Sequence, residues 1–186
     1  MTRYSLPFIA RTMLVAATGF AALAAPAGAQ DFREGVYDGR SIMGWQYSEE
    51  GSESSGLPTW LPEGETGDGA NCNIDITPLE ADQSDWLGYF YQVTPANFGQ
   101  TLREAGMDWQ QGYLTEVISL QGRPAMRNLF LAQAEGRSFD VMRVSVSGAR
   151  ELTTITCTTS QGFMLPRLQW FYAFASNIEI MTAPAE

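Results

Sequence analysis

Six oxygen-bearing side chains crowd one short stretch of this sequence: Glu63, Glu65, Asp68, Asn71, Asn73 and Asp75. Calcium is bound by six to eight oxygen ligands on a flexible loop, so this is the most tempting constellation in the chain. The run Asp68-Gly-Ala-Asn-Cys-Asn-Ile-Asp75 does not have EF-hand offsets, and no late bidentate glutamate follows it. A solvated acidic loop is the better reading, and no tight calcium site is expected. Paired carboxylates could run acid–base or glycosidase chemistry, but with 21 acidic residues no pair stands out. The chain has no Gly-x-Ser-x-Gly, phosphate-binding loop, dinucleotide fingerprint or Cys-x-x-Cys motif. Its tryptophans and tyrosines could line a pocket, but such residues more often form the core or its rim.

The residue types that are missing exclude more. Histidine is absent and all 11 basic residues are arginine. Without histidine the chain has no usual general base near neutral pH and lacks the commonest metal ligand. Without lysine it has neither Schiff-base chemistry nor a phosphate-loop lysine. We assign no catalytic, cofactor-binding or metal-ligating residue and expect a protein that is not an enzyme. The net charge of −10 repels nucleic acid and anionic lipid, and favours solubility and basic partners or cations.

The two cysteines, Cys72 and Cys157, read as a disulfide. A cysteine nucleophile would want a histidine, and there is none. Each cysteine shares a strand face with isoleucines: Ile74 and Ile76 for Cys72, Ile155 for Cys157. The bridge therefore predicts that strand 71–77 lies beside strand 150–159. Two separate buried thiols are the alternative.

The N-terminus has the parts of a secretory signal peptide over residues 1–29. Arg3 and Arg11 are basic, Met13–Ala25 is apolar, and Ala27-Gly28-Ala29 supplies a small-x-small site. Cleavage after Ala29 would leave a chain starting at Gln30. The apolar run is short of the about 20 residues a spanning helix needs. The expected product is periplasmic or secreted, without membrane insertion.

The remaining residues divide into an acidic Gly/Ser/Pro-rich segment, 30–70, and a domain over 71–180, with 30–186 as one mature domain. From Ser41 to Leu102 no basic residue occurs, and residues 48–70 read as surface loops pinned by Trp45 and Trp60. Asn71–Thr77 alternates as a half-buried strand with Cys72 inward. Residues 84–93 fit strand or short helix, and helix is favoured. Thr94-Pro95 opens a helix to about Ala105, with Phe98, Leu102 and Ala105 on one face and Gly106 as its stop. A period of two then predicts strands 113–121, 124–134, 138–147 and 150–159, joined closely enough to form an antiparallel meander. Val141 and Met142 break the alternation, which suggests a bulge. Ser160 is expected to cap a closing helix to about Asn177, with Met164, Leu168, Phe171, Ala175 and Ile178 on its inner stripe. Arg123, Arg127, Arg137, Arg143 and Arg150 gather in the meander. They form a basic counter-patch or exposed strand charges, and the second is favoured.

The fold class is α/β of the α+β type: an antiparallel sheet with a four-stranded meander, a helix before it and a long C-terminal helix packed on it. Over residues 70–180 this order resembles the PsbP-like and Mog-like α/β sandwich. The local cues are Leu120-Gln-Gly-Arg-Pro-Ala125, Arg150-Glu-Leu-Thr-Thr-Ile-Thr156 and a final aromatic helix ending Phe174-Ala-Ser-Asn-Ile178. The resemblance implies a non-enzymatic, exported binding or assembly protein with a protein partner. A small-ligand or calcium-binding periplasmic protein is the alternative, and a carboxylate-based hydrolase a third. The resemblance carries no functional residue onto this chain. The acidic segment and the cysteine pair have no counterpart in it.

Overall fold

The structure, a computed structural model, describes residues 31–64, 67–79, 85–104, 108–134 and 136–182. The expected signal peptide and its cleavage point lie outside the described residues, as do Glu65, Ala105 and Gly106. The elements run β1 (Phe32–Arg33), β2 (Tyr37–Asp38), β3 (Trp45–Tyr47), α1 (Glu49–Ser55), β4 (Thr59–Pro62), β5 (Asn71–Pro78), α2 (Trp86–Tyr91) and α3 (Pro95–Glu104). They continue with β6 (Asp108–Leu120), β7 (Arg123–Ala134), β8 (Arg137–Ser147), β9 (Glu151–Ser160), α4 (Met164–Asn177) and β10 (Glu179–Ile180).

Seven strands make one antiparallel sheet in the order β3-β4-β5-β9-β8-β7-β6. The four-stranded meander is β6 to β9, and β5 joins it beside β9. β1, β2 and β10 form a second, small sheet, which contributes Tyr37 and Ile180 to the main core. Helix α4 packs on one face of the large sheet. There Cys72, Ile74, Met142, Val144, Ile155 and Cys157 meet Phe171, Phe174 and Ile178 in the main core. Trp45 and Trp60 belong to the same core, ring edges against Phe174 at centroid distances of 5.0 and 5.5 Å.

The connection from β5 to β6 crosses the opposite face and carries α2 and α3 over it. Asp85 caps α2 by accepting the Gly88 N–H at 2.9 Å. Thr94 and Asn97 cap α3 reciprocally, each side chain accepting the other's backbone N–H. Phe98 and Leu102 of α3 meet Phe130, Ala132 and Val141. Trp86 and Phe90 of α2 meet Met126 and Leu152.

Several expectations are corrected. Segment 48–70 is not all loop. It contains α1 and β4, and β3 and β4 extend the same sheet as β5. Helix α1, Glu-Glu-Gly-Ser-Glu-Ser-Ser, has weak intrinsic propensity but is held by its ends. Ser48 accepts the Gly51 N–H at 3.0 Å, Gly56 closes it at φ 71°, and two glutamates sit in its first turn. No bulge occurs at Val141–Met142, where the register with both neighbours is unbroken. Both residues are buried because helices cover both faces of β8, so polar alternation fails without any kink. The irregularities lie instead in β6, between Trp109 and Gln111 and between Gly112 and Leu114. They hid the first five residues of β6, which starts at Asp108 rather than 113. Finally, Ser160 does not cap α4: it ends β9, and the residue before the helix, Phe163, makes no side-chain cap.

Candidate functional site

The described residues present two features with the makings of a site: the outer face of α4, and a polar band buried beneath α2 and α3.

Helix α4 buries Met164, Phe171, Phe174 and Ala175, while large apolar side chains at and near its start stay exposed. Leu165 is 82% exposed, Phe163 47% and Trp170 43%. Pro166 and Trp170 are four residues apart, so they share one outward face. Two contacts fix this surface. The Arg167 guanidinium lies over the Trp170 ring at 4.9 Å and pairs with the buried Asp68 at 2.5 Å. Asp140, buried on β8, accepts the N–H groups of Gly162 at 2.7 Å and Met164 at 3.2 Å. It therefore does what the expected Ser160 cap does not, and the helix end is held by the sheet. Farther along, Arg127 pairs with Glu116 and stacks on Tyr172 at 4.2 Å.

The second feature follows from the strand registers. On the face under α2 and α3, Asn128, Arg143, Thr156 and Asn73 stand opposite one another across β7, β8, β9 and β5. The next row on that face runs through Ser145, Thr154 and Asp75. This polar band separates the Phe98–Phe130 cluster from the Trp86–Met126 cluster. Asn128 is 1% exposed, Arg143 4%, Thr154 2% and Thr156 6%, while Asn73 and Asp75 are half-buried. The band therefore runs from the interior towards the surface at β5. Burial pulls the Arg143 guanidinium below its ordinary value, while Asp75 and Tyr89 pull it back up. Thr115 donates its hydroxyl to Asn128 Oδ1 at 2.8 Å, which orients the amide with Nδ2 as its remaining donor.

The arginines of the meander are thus not a set of exposed strand charges, and they do not gather. Arg137 and Arg150 are exposed, but Arg143 is buried on one face of the sheet. Arg123 is buried on the other, where it donates to the carbonyl oxygens of Ile180 and Thr182 and ties down β10. Arg123 and Arg143 look like surface charges in the sequence because polar residues alternating along a strand look solvated. The one available signal is indirect: α2 and α3, rich in large apolar residues, must lie on something.

Of the six-residue oxygen constellation Glu65 lies outside the described residues, and the other five do not form one cluster. Asp68 is turned inward to Arg167, and its carbonyl accepts from Ser160 N and Thr159 Oγ1. Glu63 is exposed, and Asn71, Asn73 and Asp75 lie along β5. Among the described residues no group of three acidic, histidine or cysteine side chains could hold a metal ion. No described helix is long and apolar enough to cross a membrane. Cys72 and Cys157 are joined, directly opposed across β5 and β9 with Cα atoms 4.0 Å apart. That is closer than the roughly 4.4–6.8 Å usual for a bridge, because the two residues form one cross-strand pair.

No protein-family model matches the chain. No curated protein matches it. Among the solved structures it is similar to are the following. The cyanobacterial PsbP protein of Synechocystis sp. PCC 6803 has 15% identity over 74% of this chain and 82% of that one, with a TM-score of 0.49. LpqN of Mycobacterium tuberculosis, involved in cell envelope biogenesis, has 13% identity over 75% and 79%, with a TM-score of 0.47. PA94 of Pseudomonas aeruginosa has 14% identity over 63% and 87%, with a TM-score of 0.43. The first of these is a PsbP protein, the group that the order of elements resembles, and all three are likenesses at low sequence identity.

Proposed function

We propose that this chain is an exported, non-catalytic binding or assembly protein of the cell envelope, periplasmic or secreted, that engages a protein partner through the outer face of α4. The observation that carries the reading is the exposure of Phe163, Leu165 and Trp170 at the start and on the outer side of a helix whose inner face is already committed to the core. A folded protein gains nothing within itself from apolar side chains held in water, and clustered ones mark contact surfaces. Trp170 under Arg167 is a rigid aromatic–arginine pair of the kind that anchors interfaces. With a net charge of −10, the partner's rim is basic rather than acidic. Export is supported by the sequence of residues 1–29 and by a disulfide that persists only in an oxidising compartment.

The test is site-specific photo-crosslinking in envelope extract, with the reactive group placed at Leu165, at Trp170, or at Tyr91 on the opposite side of the sheet. One discrete adduct shared by the first two positions and absent at Tyr91 supports the reading. Leu165→Asp should abolish that adduct while leaving the melting temperature within about 2 °C of the parent, as a surface substitution should. Labelling at Tyr91 alone, or none at α4, would discard it. Intact mass of the recovered chain checks export, with Gln30 as its first residue.

A further inference from the structure

The polar band under α2 and α3 contains donors that the fold itself does not use. Arg143 Nε and Nη1, Asn128 Nδ2 and Thr154 Oγ1 are buried without a hydrogen-bond partner among the described residues. Buried polar atoms nearly always find a partner, so several on one patch call for an explanation. Taking a guanidinium out of water is the most unfavourable of these, unless an anion and its hydrogen bonds offset the loss.

The three residues are neighbours by construction. Asn128 is directly opposite Arg143 across β7 and β8. Thr156 is opposite Arg143 on β9, and Thr154 follows on the same face. Their common character is donation: a guanidinium, an amide NH₂ held by Thr115, and a hydroxyl. An apolar wall flanks them on each side, Phe130 with Val141 and Met126 with Leu152. Unused donors on one patch, in low dielectric between apolar walls, are the kind of polar lining with which small-molecule sites fix a ligand.

We propose that this band binds a small organic monocarboxylate, its carboxylate held by Arg143, Asn128 and Thr154 and its short apolar portion lying against the flanking clusters. Charge decides between a carboxylate and phosphate. Asp75 acts on Arg143 from the β5 side and already supplies part of its countercharge. The overall charge of −10 also opposes anions. A singly charged ligand is favoured over a dianion on both counts. Asn73 and Asp75 on β5 are half-buried, and entry is placed on that side. This site faces away from α4 and does not depend on the partner proposed for that helix.

Acetate, propionate and inorganic phosphate serve as probes on the full mature chain, with chloride keeping ionic strength constant. The readouts are the melting temperature and the Nε–H resonance of Arg143, assigned by its loss in Arg143→Met. Acetate or propionate should move both saturably. Asn128→Ala should weaken binding about tenfold or more, the size of one lost charge-assisted hydrogen bond. Arg143→Met should fold, since it takes a charged group with two unused N–H donors out of the interior, and should show no saturable stabilisation. Equal stabilisation of Arg143→Met and the parent would overturn the proposal. So would tighter binding of phosphate than of either carboxylate, a response no larger than that to chloride, or Asn128→Ala binding like the parent.

Discussion

Asp140 and Met164 are 24 residues apart in sequence and joined in space: the Asp140 Oδ2 on β8 accepts the backbone N–H of the first residue of α4 at 3.2 Å. The same oxygen accepts Gly162 N–H, and Oδ1 accepts the Tyr113 hydroxyl at 3.1 Å. One side chain thus ties three elements together and supplies the cap that local sequence omits. Asp140→Ala should lower unfolding free energy by about 2–3 kcal/mol, combining a lost cap with donors left unsatisfied. Asp140→Asn, which keeps one acceptor, should lose about half of that. Urea denaturation followed by circular dichroism measures both. A loss below about 0.5 kcal/mol for Asp140→Ala would mean that water or backbone replaces the carboxylate.

The Asp68–Arg167 pair predicts a different pattern. The Asp68 side chain is fully buried and that of Arg167 is 18% exposed. Removing the cation alone leaves a carboxylate in the interior, so Arg167→Ala should destabilise by about 3–5 kcal/mol. Removing both charges relieves that penalty. The double variant Asp68→Asn/Arg167→Met should be clearly more stable than Arg167→Ala, and the non-additivity in a double-mutant cycle reports the coupling. Additive losses would show that packing, not charge, holds this corner.

What the sequence disclosed, and what it withheld, follows from the range of each interaction. The alternation of Cys72, Ile74 and Ile76 and the helical stripe from Met164 to Ile178 repeat a pattern with every turn or pleat, so β5, the meander and α4 were legible. The Asp140 cap has no local signature, because Ser160 offers the better-looking residue and lies on the wrong element. Arg143 and Asn128 looked solvated because their strands alternate. Only the crossing of α2 and α3 over that face, a matter of topology rather than pattern, buries them. Strands β3 and β4 are three and four residues long, too short for a period to show.

Alkaline pH should reveal the buried phenols. Tyr37 is pushed up to about 12, chiefly by burial and then by the neighbouring Tyr47. Tyr89, Tyr47, Tyr113 and Tyr172 are also raised, each mainly by burial. Above the ordinary phenol value of 10.0 the unfolded chain loses protons that the native chain keeps. Stability is therefore fully present below that pH and falls as pH rises through the folded values. Tyr37 alone accounts for about 2 kcal/mol of the decline. Unfolding free energy measured in urea at increasing pH should drop over this window, and Tyr37→Phe should flatten the drop. A profile that is level up to pH 12 would refute the burial of the Tyr37 hydroxyl.

The disulfide makes the largest single prediction. Cys72 and Cys157 are 85 residues apart in sequence, and their bond closes a loop containing α2, α3 and β6 to β8. In the chain-entropy model such a loop removes about 4–5 kcal/mol worth of freedom from the unfolded ensemble, as an upper figure. That is comparable to the whole net stability of a modest domain. The native state should change little when the bond is cut, because both cysteines are fully buried between paired strands and seven other residue pairs also hold the register of β5 with β9. The effect should therefore reside mainly in the unfolded state. The variant Cys72→Ala/Cys157→Ala should keep the native circular dichroism spectrum while its urea midpoint falls sharply, and its m-value should rise as the unfolded chain becomes less compact. Parent protein under strong reductant should behave the same way once denatured. An unchanged midpoint in the double variant would show that the β5–β9 pairing, not the covalent link, joins the two halves of the sheet.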